Sequence, residues 1–232
     1  MTDYPLVLIP GLLCDERLFS AQISALGDRA AVRVVDHRGA ATMPTLAAEI
    51  LALAPKRFAL AGLSMGGYIA FEILRQAPER VERLALLDTS ARPDLAEQSE
   101  NRRRLVALAQ KKGLAVPARE MFTKLVAPSR AEDETLRSVF LDMAEATGVS
   151  GFASQQAAIM TRADSRPMLA RISCPTLVLV GEEDQLTPPQ LAREIADGIA
   201  SSHLAVVPGV GHLSTLEAPE AVNAALKDWL SA

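Results

Sequence analysis

The sequence predicts an α/β fold: a doubly wound, mostly parallel sheet of about six strands, with helices on both faces and a helical cap insertion. Three observations carry that expectation. Short runs rich in Val, Leu and Ile recur along the chain and end in turn residues. Helical periodicities separate them. One long segment between two of the runs breaks the alternation and carries no convincing strand. Near-continuous apolar strands suit a parallel sheet covered on both faces. Alternating strands and helices build such a sheet through right-handed crossovers.

The elements follow in order. Leu6–Ile9 is the first apolar run and stops at Pro10-Gly11. Arg17–Leu26 can carry an apolar helical stripe. Val32–Val35 stops at Asp36-His37-Arg38-Gly39, and a helix over Pro44–Ala54 follows. Phe58–Gly62 runs into Leu63-Ser64, and Met65–Gln76 reads as helix. Leu84–Leu87 stops at Asp88-Thr89. Thr176–Val180 stops at Gly181 and precedes a helix over Pro188–Ile199. Leu204–Val207 stops at Pro208-Gly209, and Pro219–Leu230 is the last helix. Between the fourth and fifth strands, Arg92–Arg171 reads as several helices, broken near Gly113, Pro117, Pro128 and Gly148. The expected organisation is therefore a core of residues 1–91 and 172–232, with 92–171 as a cap above the strand ends. Extra core helices are the alternative reading of that segment. No internal repeat or low-complexity tract interrupts the pattern.

A chain of 232 residues is enough for one such domain and short for two. A net charge of −4 argues against a broad nucleic-acid footprint. Arg102-Arg103-Arg104 reads as a solvated helix face. The start, Met1 to Pro5, lacks the basic region of a signal peptide. The stretch Ile199–Leu216, free of Asp, Glu, Lys and Arg, is interrupted by Ser, His, Pro and Gly and does not read as a membrane span. Cys14 and Cys174 lie far apart and read as free thiols in a reducing compartment. The expectation is a cytoplasmic protein with no nucleic-acid or membrane partner; its oligomeric state is left open.

Gly62-Leu63-Ser64-Met65-Gly66-Gly67 matches G-x-S-x-G, with a strand before it and a helix after it. Small neighbours let the backbone turn sharply at the serine, and the helix N-terminus faces developing negative charge. A serine hydroxyl needs a base. Of three histidines, His203 stands at the start of a strand, the wrong end of the sheet. His37 is at the correct end but precedes the serine. His212 follows the last strand in a glycine-bearing loop and is the candidate base. The acid should follow a strand and precede the base; Glu182, Glu183 and Asp184 all fit, with Asp88 as the rival. Two backbone N–H groups should form the oxyanion hole: that of Met65, and one from Pro10-Gly11-Leu12-Leu13, with Leu12 as the candidate. In the cap, Met121, Phe122, Phe140, Met143, Phe152 and Met160 could line an apolar acyl pocket, or simply pack the core.

With these residues in this order, the chain resembles the α/β-hydrolase superfamily, in the manner of small capped serine esterases. Pro10-Gly11-Leu12, Gly62–Gly67, Gly181-Glu182-Glu183-Asp184 and Gly211-His212 carry the resemblance. It implies Asp184 as the acid, from a Gly-x-x-Asp pattern followed by proline. It also implies His212 as the base and Leu12 as the oxyanion donor. Pro10 stands where the family usually has histidine, and the family's usual leading β-hairpin is missing before Leu6. The implied activity is hydrolysis of a small carboxylic (acyl) ester through an acyl–Ser64 intermediate, with no metal and no organic cofactor. Thioesterase and C–C hydrolase or lyase activity are alternatives on the same triad. A ligand receptor without turnover is a further one.

Overall fold

A computed structural model of the chain describes residues 4–231. Met1–Asp3, on which part of the expectation about a targeting segment rests, and Ala232 lie outside the described residues. The elements in chain order are β1 (Leu6–Ile9), α1 (Ser20–Leu26), β2 (Val32–Val34), α2 (Met43–Leu53), β3 (Phe58–Leu63), α3 (Met65–Gln76) and β4 (Val81–Leu87). Then come α4 (Ala96–Lys112), α5 (Ala115–Leu125), α6 (Glu134–Met160), β5 (Thr176–Gly181), α7 (Pro189–Gly198), β6 (Ser202–Val207), α8 (Ser214–Glu217) and α9 (Pro219–Ser231).

The strands form one six-stranded sheet in the order β2-β1-β3-β4-β5-β6, and every pairing is parallel. The chain moves outward from β1 to β2, then returns to the other side of β1 with β3. Loops after β1 and β3 therefore diverge at a topological switch point, where open α/β sheets gather ligands.

Side chains alternate between the two faces, as strand geometry requires. Leu6, Leu8, Ala59, Ala61, Ala85, Leu87, Leu177 and Leu179 point to one face, under Phe19, Leu26, Leu226 and Trp229. Val7, Ile9, Phe58, Leu60, Leu84, Leu86, Val178 and Val180 point to the other, under α2, α3 and α7. Both faces are covered, which is why the strands read as unbroken apolar runs.

Of the boundaries that differ from expectation, two have a visible cause. β4 starts at Val81, before the apolar run. Glu82 and Arg83 extend it because each finds a partner at the rim, Glu82 with Arg57 and Arg83 with the Trp229 carbonyl at 3.1 Å. The helix expected over Arg17–Leu26 is split, with a 3-10 turn at Glu16–Phe19 before α1. Asp15 caps that turn by accepting from the Arg17 backbone N–H at 3.0 Å.

Helices α4, α5 and α6 occupy the long interval between β4 and β5. Gly113 ends α4 with φ +84°, and Gly148 bends α6 sharply with φ +69°. Both conformations favour glycine. These helices share a continuous apolar cluster with the sheet through Leu105, Phe122, Phe140 and Phe152. No helix among the described residues is long and apolar enough to cross a membrane.

Candidate active site

The turn from β3 into α3 holds Ser64 at φ +55°, ψ −113°. That conformation is strained for a residue with a side chain, and strain of this kind persists only where surrounding structure enforces it. Ser64 N–H donates to the Leu87 carbonyl at 2.9 Å, and Thr89 Oγ1 donates to the Ser64 carbonyl at 2.8 Å. The glycines are steric necessities. A Cβ at Gly62 would stand 2.3 Å from the Gly66 carbonyl oxygen, and one at Gly66 would stand 2.0 Å from that of Ile9.

His212 reaches Ser64 from the loop after β6. Its Nε2 lies 2.8 Å from Ser64 Oγ and its Nδ1 lies 2.7 Å from Asp184 Oδ2. Asp184 Oδ1 accepts from the backbone N–H of Leu186 at 2.8 Å and of Thr187 at 3.0 Å. Thr187 Oγ1 donates to Asp184 Oδ2 at 2.7 Å. Burial pushes the Asp184 carboxyl up, but the His212 charge and these hydrogen bonds outweigh it and leave the group below its ordinary value. Burial likewise pushes the His212 imidazole down, and the Asp184 carboxylate outweighs it, leaving His212 raised. An imidazole held this way can accept the Ser64 proton at Nε2 while Nδ1–H stays with Asp184.

Asp88 is brought near but bonds elsewhere. Its Oδ1 accepts from the Gly181 N–H at 2.9 Å, and Ser214 Oγ donates to its Oδ2. Full burial and the Asp184 charge push its carboxyl up to about 8. Glu182 accepts from the Gly209 N–H at 3.3 Å, and Glu183 is exposed. His203 lies exposed on β6, paired in register with Leu177, away from the serine.

The loop expected to supply one oxyanion donor follows β1. The Leu12 N–H has no acceptor among the described residues. The Met65 N–H opens α3, where the first four N–H groups have no partner within the helix. The support that Pro10 cannot supply comes from elsewhere. His37 Nε2 lies 3.2 Å from the Gly11 carbonyl, and Gln155 Oε1 accepts from the Leu13 N–H at 3.1 Å. Burial lowers His37 to about 4, so it is neutral at pH 7 and donates from Nε2. Leu13 itself sits at φ +64°.

A cleft of about 440 Å³ opens over Ser64 and His212. Leu12, Leu63, Leu105, Leu125, Ile159 and Leu213 supply its apolar wall, and α4, α5 and α6 its far side. The expected pocket residues need correction. Phe122, Phe140, Met143 and Phe152 are fully buried in the core, and half-buried Met160 also stays out of the cleft wall. Phe122 packs against Phe140, ring centroids 6.1 Å apart. Met121 does line the cleft. Neighbouring helical positions face about 100° apart, so α5 shows Met121 to the cleft and Phe122 to the core.

Several supporting groups had no sequence signal. Thr187, Gln155 and Ser214 act through folded geometry alone. Glu217 accepts from the Gly211 and Ala127 N–H groups at 3.1 and 2.8 Å, tying the histidine loop to the end of α5. Among the described residues no group of three or more His, Cys, Asp or Glu could hold a metal ion.

A family model described as the alpha/beta hydrolase family matches residues 6–225. The chain belongs to the alpha/beta hydrolase family. This hydrolase superposes on a thermophilic esterase from Thermogutta terrifontis with a TM-score of 0.89 and 34% identity, covering 99% of this chain and 90% of that one. An enol-lactonase from Burkholderia xenovorans LB400 gives a TM-score of 0.89 at 26% identity, covering 99% and 92%. The 3-oxoadipate enol-lactonase 2 of Acinetobacter baylyi is 32% identical over 168 residues, which is 72% of this chain and 61% of that enzyme. Named relatives of these kinds make the chain an enzyme of the α/β-hydrolase class.

Proposed function

We propose that this hydrolase cleaves a small carboxylic ester by nucleophilic catalysis at Ser64. The carrying observation is the unbroken relay of Ser64 Oγ, His212 and Asp184, at 2.8 and 2.7 Å. His212 Nε2 takes the Ser64 proton as Oγ attacks the ester carbonyl carbon. The tetrahedral oxyanion receives the N–H groups of Leu12 and Met65. Collapse breaks the bond to the alcohol, which leaves with the proton from His212. Water then gives its proton to His212, attacks the acyl–Ser64 carbonyl, and releases the acid. No step needs a metal or an organic cofactor.

Names of relatives support the bond type, since esterases and lactonases both cleave carboxylic esters. Residues 92–171 serve as a cap, for Leu105, Met121, Leu125 and Ile159 come from it to the cleft wall. The free thiols Cys14 and Cys174 support a reducing, cytoplasmic setting.

Release of p-nitrophenol from p-nitrophenyl acetate tests the mechanism. Ser64→Ala should lose about 10³-fold or more in kcat, because triad members act as a unit. Equal rates in the two proteins would remove Ser64 from the chemistry.

A further inference from the structure

The wall of the cleft on the α4 and α6 side carries charge that ester hydrolysis alone does not use. The whole chain has a net charge of −4. Yet Arg92, Arg102, Lys124, Arg162 and Arg166 line the cleft, and among the described residues that line it Glu120 is the one carboxylate. Arg92 and Arg166 are paired at the surface with Glu194 and Asp164. The inner pair is different. Arg102 and Arg162 share one carboxylate, Asp94, whose side chain is 1% exposed. Two guanidinium charges thus face one anion, and a guanidinium does not deprotonate in proteins.

Gln156 completes the group. It is fully buried and also lines the cleft. Arg102 Nη1 donates to Gln156 Oε1 at 2.9 Å, which fixes the amide orientation. Among the described residues Gln156 Nε2 has no partner, although it is a buried donor. Leaving such a donor unmade is costly unless a ligand meets it. Arg162 Nη2 also donates to no group among the described residues. Its guanidinium lies 4.3 Å from the ring centroid of Tyr68, which also lines the cleft. Tyr68 is one helical turn beyond Ser64, about 6 Å along α3.

We propose that Arg102, Arg162 and Gln156 form a carboxylate subsite, and that the ester cleaved at Ser64 carries a second, ionised carboxylate. The substrate class part of this inference rests on the ester-hydrolase reading; the subsite itself does not. A carboxylate accepts a charge-assisted hydrogen bond from Arg162 Nη2 and a further one from Gln156 Nε2. The excess positive charge of the pair is neutralised in the same step.

The test uses a free dicarboxylate. Glutarate and its neutral diamide, glutaramide, are titrated calorimetrically into the intact protein and into Gln156→Glu. That variant keeps the acceptor for Arg102 and replaces the orphan donor with an anion. Glutarate should bind about tenfold or more tighter than glutaramide, and the preference should vanish in Gln156→Glu. Gln156→Met, which removes the donor without adding charge, serves if the first variant does not fold; the preference should then fall about threefold or more but not vanish, because Arg162 remains and a donor bonds a carboxylate more strongly than an amide carbonyl. Equal binding of the two ligands, binding of neither, or an unchanged preference in the folded variant overturns the subsite. The kcat/KM ratio of mono-p-nitrophenyl glutarate over p-nitrophenyl valerate should then exceed one and fall with the same variant. Calorimetry requires no turnover, so a failed subsite and a failed Ser64 mechanism give separate signatures.

Discussion

Asp184 and Asp88 both follow a strand, both are buried, and they influence each other's ionisation. Partners decide their roles. Asp184 accepts from His212, while Asp88 joins Gly181 to Ser214 and so links the loops that carry acid and base. Burial and the Asp184 charge raise the Asp88 carboxyl and so favour its neutral form. A neutral asparagine can accept from Gly181 in its place, with the Ser214 hydroxyl turning to accept from its amide. Asp88→Asn should therefore retain kcat within about threefold, whereas Asp184→Asn should lose about 10⁴-fold. Comparable losses in both would make Asp88 part of the relay. The native pH profile belongs to the same residues. His212 acts as base only when neutral, and its value is raised above 6.5. kcat/KM should fall as pH drops through a midpoint above 6.5; a midpoint below 6.5 would contradict the pairing with Asp184. Sequence position alone left these carboxylates unresolved, since Asp88 is the first acid after one strand and Asp184 is one of three acids that follow another. The motif resemblance separated them, and it is Asp184 that lies 2.7 Å from His212 Nδ1.

At the scale of elements, the turn between β3 and α3 is tightly constrained. α3 presses on the end of β1 so closely that Gly66 has no room for a side chain. Gly66→Ala should destabilise the fold by about 1–3 kcal/mol, seen as a lower urea midpoint. An unchanged midpoint would mean the contact can relax at no cost. This turn was legible because its chemistry is local: the strand, glycines, serine and helix are consecutive. The oxyanion loop was only half legible. Gly11 and Leu12 can be read from the chain, but Gln155 comes from a helix 142 residues away from the Leu13 N–H it holds. The segment between β4 and β5 was legible as helices and breaks, with Gly113 and Gly148 at positive φ where the pattern faltered. Which face of each helix met the cleft was not. Periodicity marks an apolar stripe without saying whether a core or a cavity lies opposite, and Phe122, Phe140, Met143 and Phe152 all went to the core.

For the whole molecule, the alternation of elements was enough to give the fold class, because strands and helices in alternation build a doubly wound sheet. Charge distribution was not readable in the same way. A net charge of −4 hides a cationic cleft, since Arg102 and Arg162 lie 60 residues apart and meet only over Asp94. Arg102, taken from sequence as part of a solvated face, has its side chain only 19% exposed and turned towards Gln156.

The central claim is that an acyl group passes through Ser64. Rapid mixing of the native protein with p-nitrophenyl acetate, acid quenching and peptide mass spectrometry tests it most directly. The expected result is a burst of p-nitrophenol, with one acetyl group on the peptide containing Ser64 and none on that peptide from Ser64→Ala. Steady hydrolysis of the ester with no acetyl group on Ser64 at any quench time would contradict it.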